Sequence, residues 1–303
     1  MAQRNERHMT KTQLKALRLK LAPGQQPVDR YWSSVAKVFR DLYDADQAVP
    51  MREYRAPTEA QIKALEHGRW IAATVECKGC KNRVYPYELG NKGASRFCSP
   101  CHGMHIKKEA SKCAKRWLEL DPLFIDLETT GLSHEAEVIE IAILDKSGLV
   151  VFETLVKPSS PIPNEATSVN GITNRMVESS PSFAQVVDQV GSIIQGRSII
   201  AHNSHFDFSM LYREFRRCDK KDLFPTDSWH CTMRLLCDQN EGRYPSLDLA
   251  MHLSGAEHPS EGEFHRARYD ADCCRLVVLK LAHQDTVSSP CSTSPSISVS
   301  GDG

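Results

Sequence analysis

No apolar run in this 303-residue chain approaches the ~20 residues that a membrane-spanning helix needs. The stretch from Met1 to Thr10 is polar and lacks the hydrophobic core of a signal peptide. The sequence therefore predicts a cytoplasmic protein with no membrane partner. It also argues against a disulfide framework: eleven cysteines is an odd count, and without a secretion signal they point to metal binding or buried thiols. Net charge is missing as well, since 38 Lys+Arg balance 38 Asp+Glu. The balance hides a division. Residues 1–120 carry 23 basic against 12 acidic side chains, a net +11, and the remainder carries 15 against 26, a net −11. A basic half suits polyanions and an acidic half suits cations, although charge alone leaves open that the basic residues are only solvated helix faces.

What remains is an ordinary globular composition, 41% hydrophobic and 25% charged, long enough for one full α/β domain and a smaller module. Residues 1–70 read as helical. Leu14, Leu17 and Leu21 recur at helical spacing before Pro23-Gly24, and Trp32, Val35, Phe39 and Leu42 predict a second helix over 29–43. Thr58 and Gln61 are spaced as a capping box for a third, ending at Gly68. None of these segments carries recognisable chemistry.

Two Cys-x-x-Cys pairs follow, Cys77/Cys80 and Cys98/Cys101, with seventeen residues between them. Each pair can feed two thiolates to one tetrahedral ion, so the spacing predicts a zinc-ribbon-like module over 71–105 holding one structural Zn²⁺. Metal binding would supply the folding energy that so short a loop lacks. Cys98 to His102 also matches a haem attachment pattern, but that leaves the first pair unexplained, and a redox pair would sit beside a βαβ unit that is absent here. His102 and His105 are candidate substitutes for one cysteine. Lys78, Lys81, Arg83 and Arg96, interleaved with Tyr85, Tyr87 and Phe97, suit a nucleic-acid surface, unless the aromatics simply pack the ribbon. A Lys-rich helical connector is expected over 106–121.

Phe124 to Leu127 is a short apolar run with one carboxylate inside it, which reads as a buried strand. On a strand, residues two apart share a face, so Asp126 and Glu128 point the same way. Burying two like charges together is costly unless cations lie between them. Downstream, 138–144 and 149–156 read as an antiparallel hairpin around Asp145-Lys-Ser-Gly148. Helices are expected over 182–195, 206–216, 247–253 and 267–281, with a short buried strand at 198–201. Strands first and then strands alternating with helices predict an α/β mixed sheet flanked by helices. From 284 to 303, Ser and Pro without periodicity predict a disordered tail.

Four segments recur in a telling order: Asp126-Leu-Glu128, Val169-Asn-Gly-Ile-Thr173, His202-Asn-Ser-His-Phe-Asp207 and His265-Arg-Ala-Arg-Tyr-Asp270-Ala271. Their joint order and spacing resemble the DnaQ-like, or DEDDh, family of 3′→5′ exonucleases, which includes the proofreading epsilon subunit of bacterial DNA polymerase. The resemblance covers residues 122–283 and implies a ribonuclease H-like fold. It implies that Asp126, Glu128, Asp207 and Asp270 hold two Mg²⁺ or Mn²⁺ ions and that His265 takes the proton of the attacking water. The sister subfamily's tyrosine would fall at Arg266, so the histidine form is indicated. Thr129, Thr130, Leu132, Asn203 and Phe206 are the expected substrate contacts, and His202 and His205 are expected to be structural. Asp272 competes with Asp270 as the last acid but fits the spacing from His265 less well. The implied partners are nucleic acid, with single-stranded DNA or 3′ ends favoured over RNA, and a DNA polymerase or another replication or repair protein.

Overall fold

The computed structural model describes residues 7–53, 55–90 and 95–284, in two units that divide between Trp70 and Ile71. The tail expected to be disordered lies outside the described residues except for Gln284, whose side chain donates to Ser254 O at 2.8 Å. Among the described residues no helix is long and apolar enough to cross a membrane.

The first unit corrects the helical expectation. The first helix is short, Lys11–Ala16, opened by a Thr10/Gln13 capping box and stopped where Arg18 turns left-handed at φ 61°. In place of a helix over 29–43 stands an antiparallel hairpin, Asp29–Ser33 paired with Val38–Asp44, with His8–Met9 on the latter's other edge. Trp32 and Phe39 face each other in register and meet edge-on at 5.1 Å. Val35, which helical spacing placed on the apolar stripe, sits in the turn and is 96% exposed. Aromatic and β-branched residues on both sides of that turn favour the pleated alternative. The third helix does open at the Thr58/Gln61 box but continues through Gly68 to Ala73.

The second unit is built on a five-stranded sheet. In chain order its strands are β1 (Leu123–Thr129), β2 (Val138–Asp145), β3 (Val150–Leu155), β4 (Ile199–Ala201) and β5 (Trp229–Cys231), and in space they run β3-β2-β1-β4-β5. The first three form the antiparallel meander expected, and β4 and β5 add in parallel to β1. This is the mixed, ribonuclease H-like sheet that the resemblance implies. Parallel addition needs a crossover, which the helix Phe183–Ile194 supplies on one face, capped by the Ser182/Gln185 box. The helix Ser204–Arg217 follows β4, and Ala267–Ala282 covers the opposite face. We call the helices α1 (Ser99–Glu119), α2 (Asn164–Asn170), α3 (Phe183–Ile194), α4 (Ser204–Arg217), α5 (Leu247–Ser254) and α6 (Ala267–Ala282). β1 and β2 are buried on both faces, one against α3 and α4 and the other against α6.

The basic connector is longer than expected. α1 begins at Ser99, among the cysteines, and its second half belongs to the sheet's core: Ala114 and Trp117 join the cluster formed by Phe124, Leu144 and α6. Trp117 also stacks on His230 of β5 at 4.9 Å. Trp117→Ala should therefore destabilise the exonuclease-like unit by about 3–5 kcal/mol. Urea unfolding followed by circular dichroism checks this, and an unchanged midpoint would mean that α1 only links the cysteine segment to the sheet.

Candidate active site

β1 brings Asp126 and Glu128 to one face, and two helices bring the other acids to them. Asp207 lies in the first turn of α4 and Asp270 in the first turn of α6, where backbone N–H groups favour negative charge. Burial discourages ionisation in all four, and the carboxyls repel one another. In Asp126, burial is the largest cause, followed by Asp207, Asp270, Glu128 and Glu140, and together they push its carboxyl well above the usual range. Asp207 is likewise raised, chiefly by burial, with N–H groups of Asp207 and Leu127 partly offsetting it. Glu128 is pushed up to about 8 by burial and then by Asp270 and Glu140. Burial raises Asp270 to about 6 against the stabilising effect of His265.

Glu128, His265 and Asp270 bring one ligand atom each within 4.8 Å of the others. His265 is exposed, left-handed at φ 64°, and tied down by its backbone N–H, which donates to Asp270 Oδ2 at 3.1 Å. The other oxygen, Asp270 Oδ1, is buried and has no hydrogen-bond partner among the described residues. An orphaned buried oxygen within a set of carboxylates and one imidazole fits a hard divalent cation. Asp272, the competing acid, is instead paired with Arg275 at 2.7 Å. His202 is structural, held by Thr232 Oγ1 at 2.9 Å and Pro245 O at 3.1 Å, with burial lowering it to about 4. His205 is exposed at the start of α4.

The expected substrate contacts divide. Thr130 and Leu132 follow β1 on a loop that turns at Gly131, whose φ of 150° is a region only glycine occupies readily. Leu132 is 85% exposed beside the acids' strand. Thr129 is buried and its hydroxyl donates to Gly131 O at 2.8 Å, so it shapes the loop. Asn203 is an exposed left-handed residue that starts α4, while Phe206 packs partly against the core beneath it. α4 also fastens the loop: Arg213 donates to Ser133 O at 2.7 Å and Arg217 to Ala136 O at 3.1 Å.

Three supporting residues escaped the sequence reading. Asn170 ends α2 buried, favours the charged form of Glu128 and donates to Thr129 O at 3.4 Å. Glu140 stands opposite Glu128 in the β1–β2 register. It accepts from Arg266 Nη2 at 2.6 Å and from Ala267 N at 2.9 Å, which fixes the start of α6 and the residue after His265. A lone carboxylate in the apolar run 138–144 was the signal for Glu140, the same signal that marked Asp126.

A protein-family model described as exonuclease matches residues 123–276. The chain belongs to the exonuclease family. It is 33% identical over 177 residues to an uncharacterized exonuclease of Escherichia phage 186, covering 55% of this chain and 90% of that protein. It is 31% identical over 165 residues to the DNA polymerase III subunit epsilon of Treponema pallidum (strain Nichols), covering 52% of this chain and 75% of that one. Among solved structures, exonuclease X in complex with 5′ overhanging duplex DNA aligns over 55% of this chain and 94% of that chain, at 26% identity and a TM-score of 0.42. Membership of this family implies divalent metal ions.

The four cysteines form a second cluster. The Sγ atoms of Cys77, Cys80, Cys98 and Cys101 all lie within 4.8 Å of one another. Cys98 Sγ is 3.6 Å from that of Cys77 and 3.9 Å from that of Cys80. A tetrahedral ion at the usual Zn–S distance of about 2.3 Å separates its sulfurs by roughly 3.8 Å, so the cluster has the size of a metal site. Burial opposes ionisation of Cys77, but N–H groups of Cys98, Cys80 and Gly79 outweigh it and bring the thiol down to about 6, ready to ligate at neutral pH. Gly79 allows the close approach, since a Cβ would stand 3.0 Å from Cys101 Sγ. His102 is outside the set and bonded to Ser95 Oγ at 3.1 Å, and His105 stacks on Phe97 at 4.7 Å, so neither replaces a cysteine.

The raised carboxyls make stability depend on pH when metal is removed. A carboxyl whose folded pKa exceeds its unfolded value favours the folded state at low pH, and that contribution disappears as pH rises through the folded value. For Glu128 the window runs from its ordinary 4.5 to about 8. In chelator, Tm should fall across that range, Glu128→Gln should flatten the fall, and Mn²⁺ should reverse it. A Tm that does not change across the window in chelator would contradict the electrostatics described.

Proposed function

We propose that the chain is a metal-dependent 3′→5′ exonuclease that releases nucleoside 5′-monophosphates, with DNA its favoured substrate, joined to a zinc-stabilised nucleic-acid-binding module. The convergence of Asp126, Glu128, Asp207, Asp270 and His265 from three separate elements carries this reading. Asp126, Glu128 and Asp270 would hold one ion, and Asp126 with Asp207 the second. When bound, Mg²⁺ or Mn²⁺ supplies charge stabilisation for the attacking and leaving oxygens of an in-line displacement. The protein's own part is to orient and to move a proton. His265, exposed at the mouth of the site, accepts the proton of the attacking water on an imidazole nitrogen. Glu140 and Arg266 hold that histidine's segment against the start of α6. Asn170 lies beside Glu128 and favours its charged form. Leu132, exposed on the loop after β1, offers an apolar surface to the terminal nucleotide.

The four cysteines would hold one Zn²⁺, as their S···S spacing supports. A second reading, a proofreading subunit bound to a polymerase, draws on the 31% identity to a DNA polymerase III subunit epsilon.

End-labelled DNA and RNA of one sequence, digested in parallel with Mg²⁺ or Mn²⁺, test the reading. The parent should shorten DNA from its 3′ end and stop in EDTA. Asp126→Asn and Asp270→Asn should nearly abolish hydrolysis, and His265→Ala should lower the rate by roughly 10²–10⁴-fold. Native mass spectrometry should find one zinc in the parent and none in Cys98→Ser. Parental rates in both aspartate variants would overturn the assignment, and faster trimming of RNA would reassign the substrate.

A further inference from the structure

α1 ties the cysteine module to the sheet, and its neighbours show where its C-terminal end is anchored. Trp117, near its C-terminal end, stacks on His230, which pairs with Ile200, which pairs with Phe124, the second residue of β1. The end of α1 therefore lies at the level where β1 starts. The helix also touches Asp238–Asn240, a segment beyond the C-terminal end of β5. From Trp117 back to Cys101 the helix rises ~24 Å. The four-cysteine module therefore stands at the far end of a helix whose other end is anchored in the core of the sheet.

On this module Tyr85 and Tyr87 lie parallel, ring centroids 5.4 Å apart and planes within 6°. Tyr87 is 78% exposed and so contributes almost nothing to packing. The pair is preset by the turn Pro86–Glu88, where the Glu88 carboxylate accepts the Tyr85 N–H at 2.5 Å. Phe97, the third aromatic of the segment, is spent on the cysteine cluster and on His105. Residues 71–120 carry ten Lys or Arg against four Glu, and Lys78, Arg96, Lys107 and Lys108 are exposed. An exposed parallel aromatic pair in basic surroundings is complementary to unpaired bases on a phosphate backbone.

We propose that the Tyr85–Tyr87 pair is a stacking platform for unpaired bases of single-stranded nucleic acid, on the module that α1 joins to the sheet. The neighbouring basic side chains take the phosphates, and the strand's 3′ end continues into the site. The platform rests on the exonuclease reading for what becomes of that end, but binding can be measured without it.

The full chain, its Tyr87→Ala variant and its Tyr87→Phe variant would be titrated without Mg²⁺ or Mn²⁺ and without chelator, so that the cysteine site keeps its ion, at one salt concentration, with a dinucleotide and with a long single-stranded oligonucleotide, each as DNA and as RNA. Loss of one base–aromatic stack should weaken long-strand binding by Tyr87→Ala about five- to a hundred-fold, and Tyr87→Phe should restore it. Dinucleotide binding and metal-dependent hydrolysis of a small activated ester of thymidine 5′-phosphate should be the same in all three. Equal long-strand affinity of Tyr87→Ala and parent overturns the platform and turns the pair towards a protein partner. A Tyr87→Phe variant as weak as Tyr87→Ala overturns it too. An inactive parent in the ester assay would count against the exonuclease reading alone, because the binding comparison does not depend on it.

Discussion

Four carboxyl groups are gathered where burial and mutual repulsion both oppose their charge, and the rest of the fold is arranged to keep them there. Asp126 and Glu128 come from a strand buried on both faces, so neither can swing out to water without dragging the core. Asp207 and Asp270 arrive on helices from opposite faces of the sheet. Such a cluster resists ionisation, as the raised Asp126, Glu128, Asp207 and Asp270 show. Cations resolve the conflict. The catalytic potential and the electrostatic cost are the same feature, and function is what retains it.

Around this cluster, charge is handled locally. Glu140, opposite Glu128, is a fifth carboxylate that raises Asp126 and Glu128, and its own charge is met by Arg266 and by the first N–H of α6. Glu214 is buried as well, and it is satisfied by Val138 N at 3.1 Å and by Arg217 at 2.8 Å. Both pairs fasten irregular segments of the nuclease site, the histidine segment and the loop after β1, to helices and strands. The four-cysteine cluster, of the size of a metal site, stands at the other end of α1. An ion there would give a short, core-poor segment a fixed shape.

Much of this was legible in the sequence, for identifiable reasons. Asp126 and Glu128 could be placed on one face because strand periodicity is exact, and the two cysteine pairs because ligand spacing is nearly independent of what surrounds it. Asn170, Glu140 and Arg266 were not legible as support, because their partners are set by strand register and by where α6 begins, which only the folded chain fixes. The misread hairpin at Asp29–Asp44 has another cause. Trp32, Val35, Phe39 and Leu42 satisfy helical spacing, yet the same residues divide into two strands once 34–37 turn, and no local signal as strong as Asn-Gly marks that turn. α1 was seen as a connector because its Lys-rich surface dominates its composition, whereas Ala114 and Trp117, which decide its packing, are few.

The claim on which everything depends is that the four carboxylates form a cation site whose charge is suppressed until the ions arrive. Calorimetric titration of Mn²⁺ into chelator-treated protein near pH 7, repeated in buffers of different ionisation enthalpy, measures the protons exchanged on binding. Glu128 at about 8, with Asp126 and Asp207 also raised, requires net proton release as the ions enter, and less release in Glu128→Gln. Mn²⁺ binding with no proton release, or with the same release after Glu128→Gln, would contradict the account.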